Sequence, residues 1–165
     1  MFYAVQTSTE VLYRLLENPK YLEPLRQEIE AAVAEEGWTK ARMDRLHKLD
    51  SFLRETLRME TAGAGLLDSL DTSLLLITVL QVILYRLALR PFTFSNGVTV
   101  PAGTLLAAPS SAIQMDENIY SNPERFDGIR FSNARDMNED VTTSRYSPVN
   151  VSPEHLVFGL GRHAW

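Results

Sequence analysis

Between Leu66 and Leu89 the chain is almost wholly apolar, and no other feature narrows its folding options as sharply. Such a stretch is a membrane span, a buried helix, or a segment foreign to the fold around it. Asp71 and Arg86 interrupt it, leaving an uncharged run of 14 residues between them. As an α-helix that run reaches about 21 Å, short of the ~30 Å hydrocarbon core of a bilayer. A buried or adventitious helix is therefore expected in place of a span. The N-terminal Met1-Phe2-Tyr3-Ala4-Val5-Gln6 has no basic group ahead of an apolar core, so neither a signal peptide nor an anchor is expected there.

The residues before this run read as helices. Ser8-Thr9-Glu10 offers an N-cap, Val11, Leu12, Leu15 and Leu16 follow at helical spacing, and Asn18-Pro19 closes the element. Asn18 then caps a second helix with Pro19 at its first position. Leu22, Leu25, Ile29 and Val33 form its apolar stripe, Gly37 ends it, and Pro24 argues for a later start. Thr39 caps a short helix through Met43, and Asp50 or Ser51 caps another with Leu49, Phe52, Leu53 and Leu57 on its apolar face.

Beyond the apolar run the periodicity changes. Phe92 to Ser95, the turn pair Asn96-Gly97 and Val98 to Val100 predict a hairpin, because that pair favours positive φ. From Asp127 to Pro153 polar residues dominate, which predicts a long irregular surface segment.

Composition removes whole classes of function. A chain of 165 residues is the size of one domain, and a net charge of -5 without a basic cluster argues against a nucleic-acid partner. With no cysteine there is no disulfide, zinc-thiolate site, iron-sulfur cluster or thiol nucleophile.

Four segments, taken in order, resemble the C-terminal part of a cytochrome P450, particularly the fungal enzymes. Glu55-Thr56-Leu57-Arg58 is similar to that family's Glu-x-x-Arg, whose spacing puts both side chains on one helix face. Pro123-Glu124-Arg125-Phe126 resembles the meander motif, and the resemblance implies a structural network of Glu55, Arg58 and Arg125. The run Arg90 to Thr104 is similar to the fungal sheet segment that follows. Phe158-Gly159-Leu160-Gly161-Arg162-His163-Ala164 resembles the opening of the haem-binding loop, with His163 at a propionate contact. The axial cysteine of that pattern falls at position 165, where this chain has Trp165. A thiolate donates electron density to haem iron, whereas indole nitrogen is a hydrogen-bond donor only.

The fold implied is mainly α with a small antiparallel β hairpin region. It is an incomplete cytochrome P450 domain, from the end of the oxygen-binding helix through the start of the haem loop, occupying 1–165 with 61–87 as an apolar insertion. A retained intron or an incorrect gene model would account for that insertion. The resemblance puts Thr7 at the proton-delivering threonine, with Gln6 where an acidic or histidine neighbour is usual. It implies haem b, iron, an NADPH-cytochrome reductase and a small apolar substrate of secondary metabolism for the intact enzyme. Intact relatives are bound to the endoplasmic-reticulum membrane, while no transmembrane anchor is read in this chain. Without the thiolate, this chain is expected to be inactive.

Plainer readings stand beside these. A lone Glu-x-x-Arg is usually a solvated ion pair, and Glu55 and Arg58 are expected in water here, in a chain that folds poorly. Gly159-x-Gly161 lacks the helix and lysine of a phosphate loop. His47, His155 and His163 lack metal-ligand spacing, and Glu35-Glu36 and Asp116-Glu117 read as solvated faces. A reading from another class makes the chain a non-catalytic interaction protein that uses its helices and the Leu74 to Leu84 face.

Overall fold

A computed structural model describes residues 2–61, 84–136 and 150–160. Most of the expected insertion at 61–87, and the proposed Leu74 to Leu84 face except for Leu84, lie outside the described residues. Two compact units divide the chain: 1–60 with 122–150, and 61–121 with 151–165.

The first unit is helical. Helix α1 spans Phe2–Glu17 and stops where Asn18 donates its backbone N–H to the Arg14 carbonyl, ahead of Pro19. Its start is earlier than the expected cap at Ser8. Thr9 lies inside the helix because its hydroxyl bonds back to the Val5 carbonyl at 2.9 Å, an alternative to capping open to a threonine in a helix. Pro19–Tyr21 forms a 3-10 turn and α2 follows at Leu22–Glu36. Pro24 therefore falls in the first turn of α2, where a missing N–H has no helical partner to lose. Gly37, at φ 71, ends α2 with its N–H on the Val33 carbonyl.

Short α3 is Lys40–Met43 and α4 is His47–Thr61. The cap of α4 is not Asp50 or Ser51. Glu28 of α2 supplies it, accepting the backbone N–H groups of Lys48 and Leu49 at 2.9 and 3.0 Å. A carboxylate there answers both the unpaired donors and the positive end of the helix dipole.

The core of this unit is Tyr21, Leu25 and Phe52, with Val11, Leu15, Leu49, Phe126 and Ile129 packed against it. Tyr21, Phe52 and Phe126 meet edge to face, with ring centroids 5.2 to 6.1 Å apart. Such pairs contribute about 0.5–1.5 kcal/mol beyond the area they bury.

The expected irregular segment after Asp127 holds a helix, Arg130–Asp136, numbered α6 below. It forms because α4 fixes its first turn: the Phe131 N–H donates to Ser51 Oγ at 3.0 Å, and the Arg54 guanidinium lies 4.9 Å over the Phe131 ring. Polar composition alone hides that docking.

The second unit contains two antiparallel pairs. Strand β1, Leu84–Leu87, pairs with β4, Leu105–Ala108, with Leu87 opposite Leu105. This end of the apolar run is thus a strand and not the expected helix, because ladder pairing outweighs local preference. Strands β2, Phe92–Thr93, and β3, Thr99–Val100, form the expected hairpin around Gly97 at φ 88. Helix α5 is Ser110–Gln114. Among the described residues no helix is long and apolar enough to cross a membrane.

Candidate functional site

Glu55 and Arg58 project from one face of α4, as a spacing of three residues requires. They are not solvated as expected; both side chains are fully buried. Arg58 donates from Nε to Glu55 Oε2 at 2.8 Å and from Nη2 to Oε1 at 2.9 Å. This bidentate geometry is the one in which a buried pair can offset its desolvation.

The second cation on this carboxylate is Arg130, at the start of α6. Its Nε donates to Glu55 Oε1 and Oε2 at 3.1 and 3.2 Å. Arg125, the arginine expected there, is exposed at its side chain and takes part through its backbone, its carbonyl accepting Arg130 Nη2 at 3.0 Å. The reason is geometric. Asn122 sits at φ 48, in the left-handed region that Asn tolerates better than most residues, and the Arg125 N–H returns to the Asn122 carbonyl in a tight turn. The chain reaches the carboxylate only after this turn, at Asp127, whose N–H donates to Glu55 Oε1 at 3.1 Å.

Both guanidiniums also hold main-chain carbonyls. Arg58 Nη2 donates to Pro123 at 2.7 Å, and Arg130 Nη2 to Asn122 at 3.3 Å. One carboxylate thus organises two cations, which fasten the segment from Asn122 to Arg130 onto α4. Gly128 makes this approach possible: a Cβ there would lie 2.5 Å from the Phe52 ring. The sequence signal for Arg130 was available in Phe126-Asp127-Gly128-Ile129-Arg130-Phe131, where a glycine able to approach an aromatic core precedes an arginine opening a helix.

Near the other end of α4, Glu60 has a buried carboxylate oxygen, Oε2, with no hydrogen-bond partner among the described residues. Burial raises its pKa above the usual 4.5, and the charge of Glu10 adds to the effect. Glu10 is itself held by Arg14 Nε at 3.2 Å.

Thr7 lies on α1 in the first unit, half-buried. In the second unit Tyr120 donates its hydroxyl to the Glu154 carbonyl at 2.6 Å, and Ser152 bridges to His155, fixing the approach to Phe158. Gly159 is buried at φ 82 with its N–H on the Leu156 carbonyl, a conformation that favours glycine. Phe158 is half-buried; Gly161, Arg162, His163 and Trp165 lie outside the described residues.

The donor set does not fit the axial bond of a haem-thiolate centre. None of the 165 residues is a cysteine, so the chain itself offers no thiolate. Among the described residues no cluster of three or more His, Asp or Glu could hold a metal ion instead.

Comparison with known proteins agrees with the order of the motifs. The family model described as Cytochrome P450 matches residues 5–68 and 73–164. The chain is 39% identical over 170 residues to cytochrome P450 monooxygenase terQ of Tolypocladium album, covering 99% of this chain and 27% of that protein. It is 36% identical over 167 residues to cytochrome P450 monooxygenase 151 of Postia placenta, covering 99% and 30%. Against cytochrome P450 monooxygenase paxQ of Penicillium paxilli it is 36% identical over 168 residues, covering 99% and 29%. The chain spans less than a third of the length of these relatives.

Proposed function

Because this chain belongs to the cytochrome P450 family, we propose that it forms the clamp-bearing part of a haem-dependent monooxygenase fold and does not itself catalyse oxygenation. The reaction of the intact fold is the insertion of one oxygen atom from O₂ into a small apolar substrate, with haem b as cofactor and electrons from an NADPH-dependent reductase. The contribution of this segment is mechanical. Glu55, Arg58 and Arg130 hold the meander against α4.

The observation that carries this reading is the fully buried Glu55 gripped by two guanidiniums, in a chain that contains no cysteine. Thiolate ligation is what favours O–O cleavage, and an indole cannot replace it. The test is spectroscopic: the purified chain is mixed with haem, reduced and exposed to carbon monoxide. No thiolate-type Soret band is expected. Such a band, or substrate oxygenation by the unaltered chain with a reductase, overturns the inactivity.

A further inference from the structure

The β2–β3 turn brings an amide nitrogen and a side-chain carboxamide together in water. Among the asparagines of the chain only Asn96 precedes glycine. Asn18 and Asn122 precede proline, which has no N–H, and Asn118, Asn133, Asn138 and Asn150 precede residues whose side chains crowd the following nitrogen. Asn96 and Gly97 are both exposed. Gly97 takes φ 88, and a Cβ there would meet nothing within 4 Å, so a succinimide ring closed between the two residues has room.

The side chain is already posed for that closure. Val98 donates its N–H to Asn96 Oδ1 at 3.1 Å, which folds the carboxamide back on the peptide that follows it and polarises Cγ. One contact opposes attack: the Gly97 N–H donates to the Phe94 carbonyl at 2.9 Å. That bond belongs to a two-stranded hairpin with strands Phe92–Thr93 and Thr99–Val100, clasped by the Thr93 and Thr99 hydroxyls at 2.8 Å. A two-stranded ribbon is marginally stable in water, so little holds the bond closed. Asp127-Gly128 is the contrasting pair. Asp127 Oδ1 likewise accepts the Ile129 N–H, at 3.2 Å, but the Asp127 N–H is held by Glu55 and Gly128 lies against the Phe52 ring.

We propose that Asn96 is a self-modifying site, its rate governed by the opening of the β2–β3 hairpin. Once the Gly97 nitrogen loses its proton to hydroxide, it bonds to Asn96 Cγ while the Val98 N–H holds the charge gathering on Oδ1. The Cγ–Nδ2 bond then breaks, and the departing nitrogen takes a proton from water and leaves as ammonia. Water next opens the succinimide. Adding at Cγ, it leaves an aspartyl residue; adding at the main-chain carbonyl, it leaves an isoaspartyl link that carries the backbone through Cγ. Nothing is oxidised or reduced, and one water enters for each ammonia lost. Either product puts a carboxylate into the stretch from Leu84 to Met115, which has no Asp or Glu. The isoaspartyl link also lengthens the turn by one carbon, which disturbs the pairing of Phe92 with Val100. This chemistry is independent of the haem reading.

The test incubates the full chain at neutral and at mildly alkaline pH and maps its peptides by mass spectrometry. An Asp-specific protease and an isoaspartyl methyltransferase distinguish the two products. Conversion at 96 is expected to be the fastest of any asparagine, to yield both products and to accelerate with pH, while the Asp127-Gly128 peptide gains no isoaspartyl link. Thr99→Ala removes the clasp and is expected to speed conversion about two- to fivefold, the contribution of one cross-strand pair. Asn96→Gln is expected to abolish it, since the longer side chain closes its ring far more slowly. Faster conversion at another asparagine, aspartyl product alone, or an unchanged rate in Thr99→Ala would overturn the proposal.

Discussion

Arg125 and Arg130 stand five residues apart and differ completely in circumstance. Arg130 brings its guanidinium to both oxygens of a buried carboxylate and to two carbonyls, whereas Arg125 points into solvent. Arg130→Ala is expected to destabilise the first unit by about 3 kcal/mol, the lower end of what breaking a buried ion pair costs. Arg125→Ala is expected to stay within about 0.5 kcal/mol, as an exposed change does. Arg130→Lys should recover little, since one ammonium cannot reproduce a planar fork. Denaturant titration of the three variants measures all of this, and equal losses at 125 and 130 would remove Arg130 from the clamp. The sequence showed the Glu55–Arg58 pair, because helical spacing is local. It did not show Arg130, because that choice depends on how Asn122 turns the backbone.

At the scale of the elements, the α4–α6 contact rests on a glycine. Gly128→Ala would place a methyl group against the buried Phe52 ring, which Tyr21 and Phe126 hold in place. A loss of about 1–3 kcal/mol is expected, read as a lowered thermal midpoint with weaker near-UV circular dichroism. The last turn of α4 carries a second liability in Glu60. Its folded pKa lies above the unfolded value, so the chain binds more protons when folded there, and stability falls as pH rises above about 4.5. Glu60→Gln is expected to flatten that loss and raise the midpoint at neutral pH; an unchanged pH profile would remove Glu60 from the account. Helix ends marked by Asn18-Pro19 and Gly37, and the Asn96-Gly97 turn, were readable because their signals are chemical and short-range. The start of α4 was not, because its cap comes from Glu28 on another helix. Strand β1 was not, because its partner begins at Leu105, 18 residues beyond its own last residue, Leu87.

For the molecule as a whole, family membership was legible from the order of four motifs, none of them persuasive alone. The burial of Glu55 and Arg58 was not, since a spacing rule says nothing about what covers a pair. That the chain contains no cysteine is read directly from composition. Exposed apolar positions on α1, Leu12 and Leu16 among them, remain in water. A longer chain carrying more of the relatives' length is expected to unfold at higher temperature if it covers this face; an identical midpoint would show that the face needs no cover.

The Glu28 cap also bears on the order in which the chain takes shape during synthesis. Glu28 reaches Lys48 across 20 residues, but Arg130 reaches Glu55 across 75. On a ribosome the α2–α4 corner can close long before Arg130 emerges, leaving one nascent carboxylate with half of its final grip. Nascent chains stalled at increasing lengths are expected to gain protease resistance in α4 only once Arg130 has cleared the exit tunnel; earlier resistance would show that the corner is sufficient by itself.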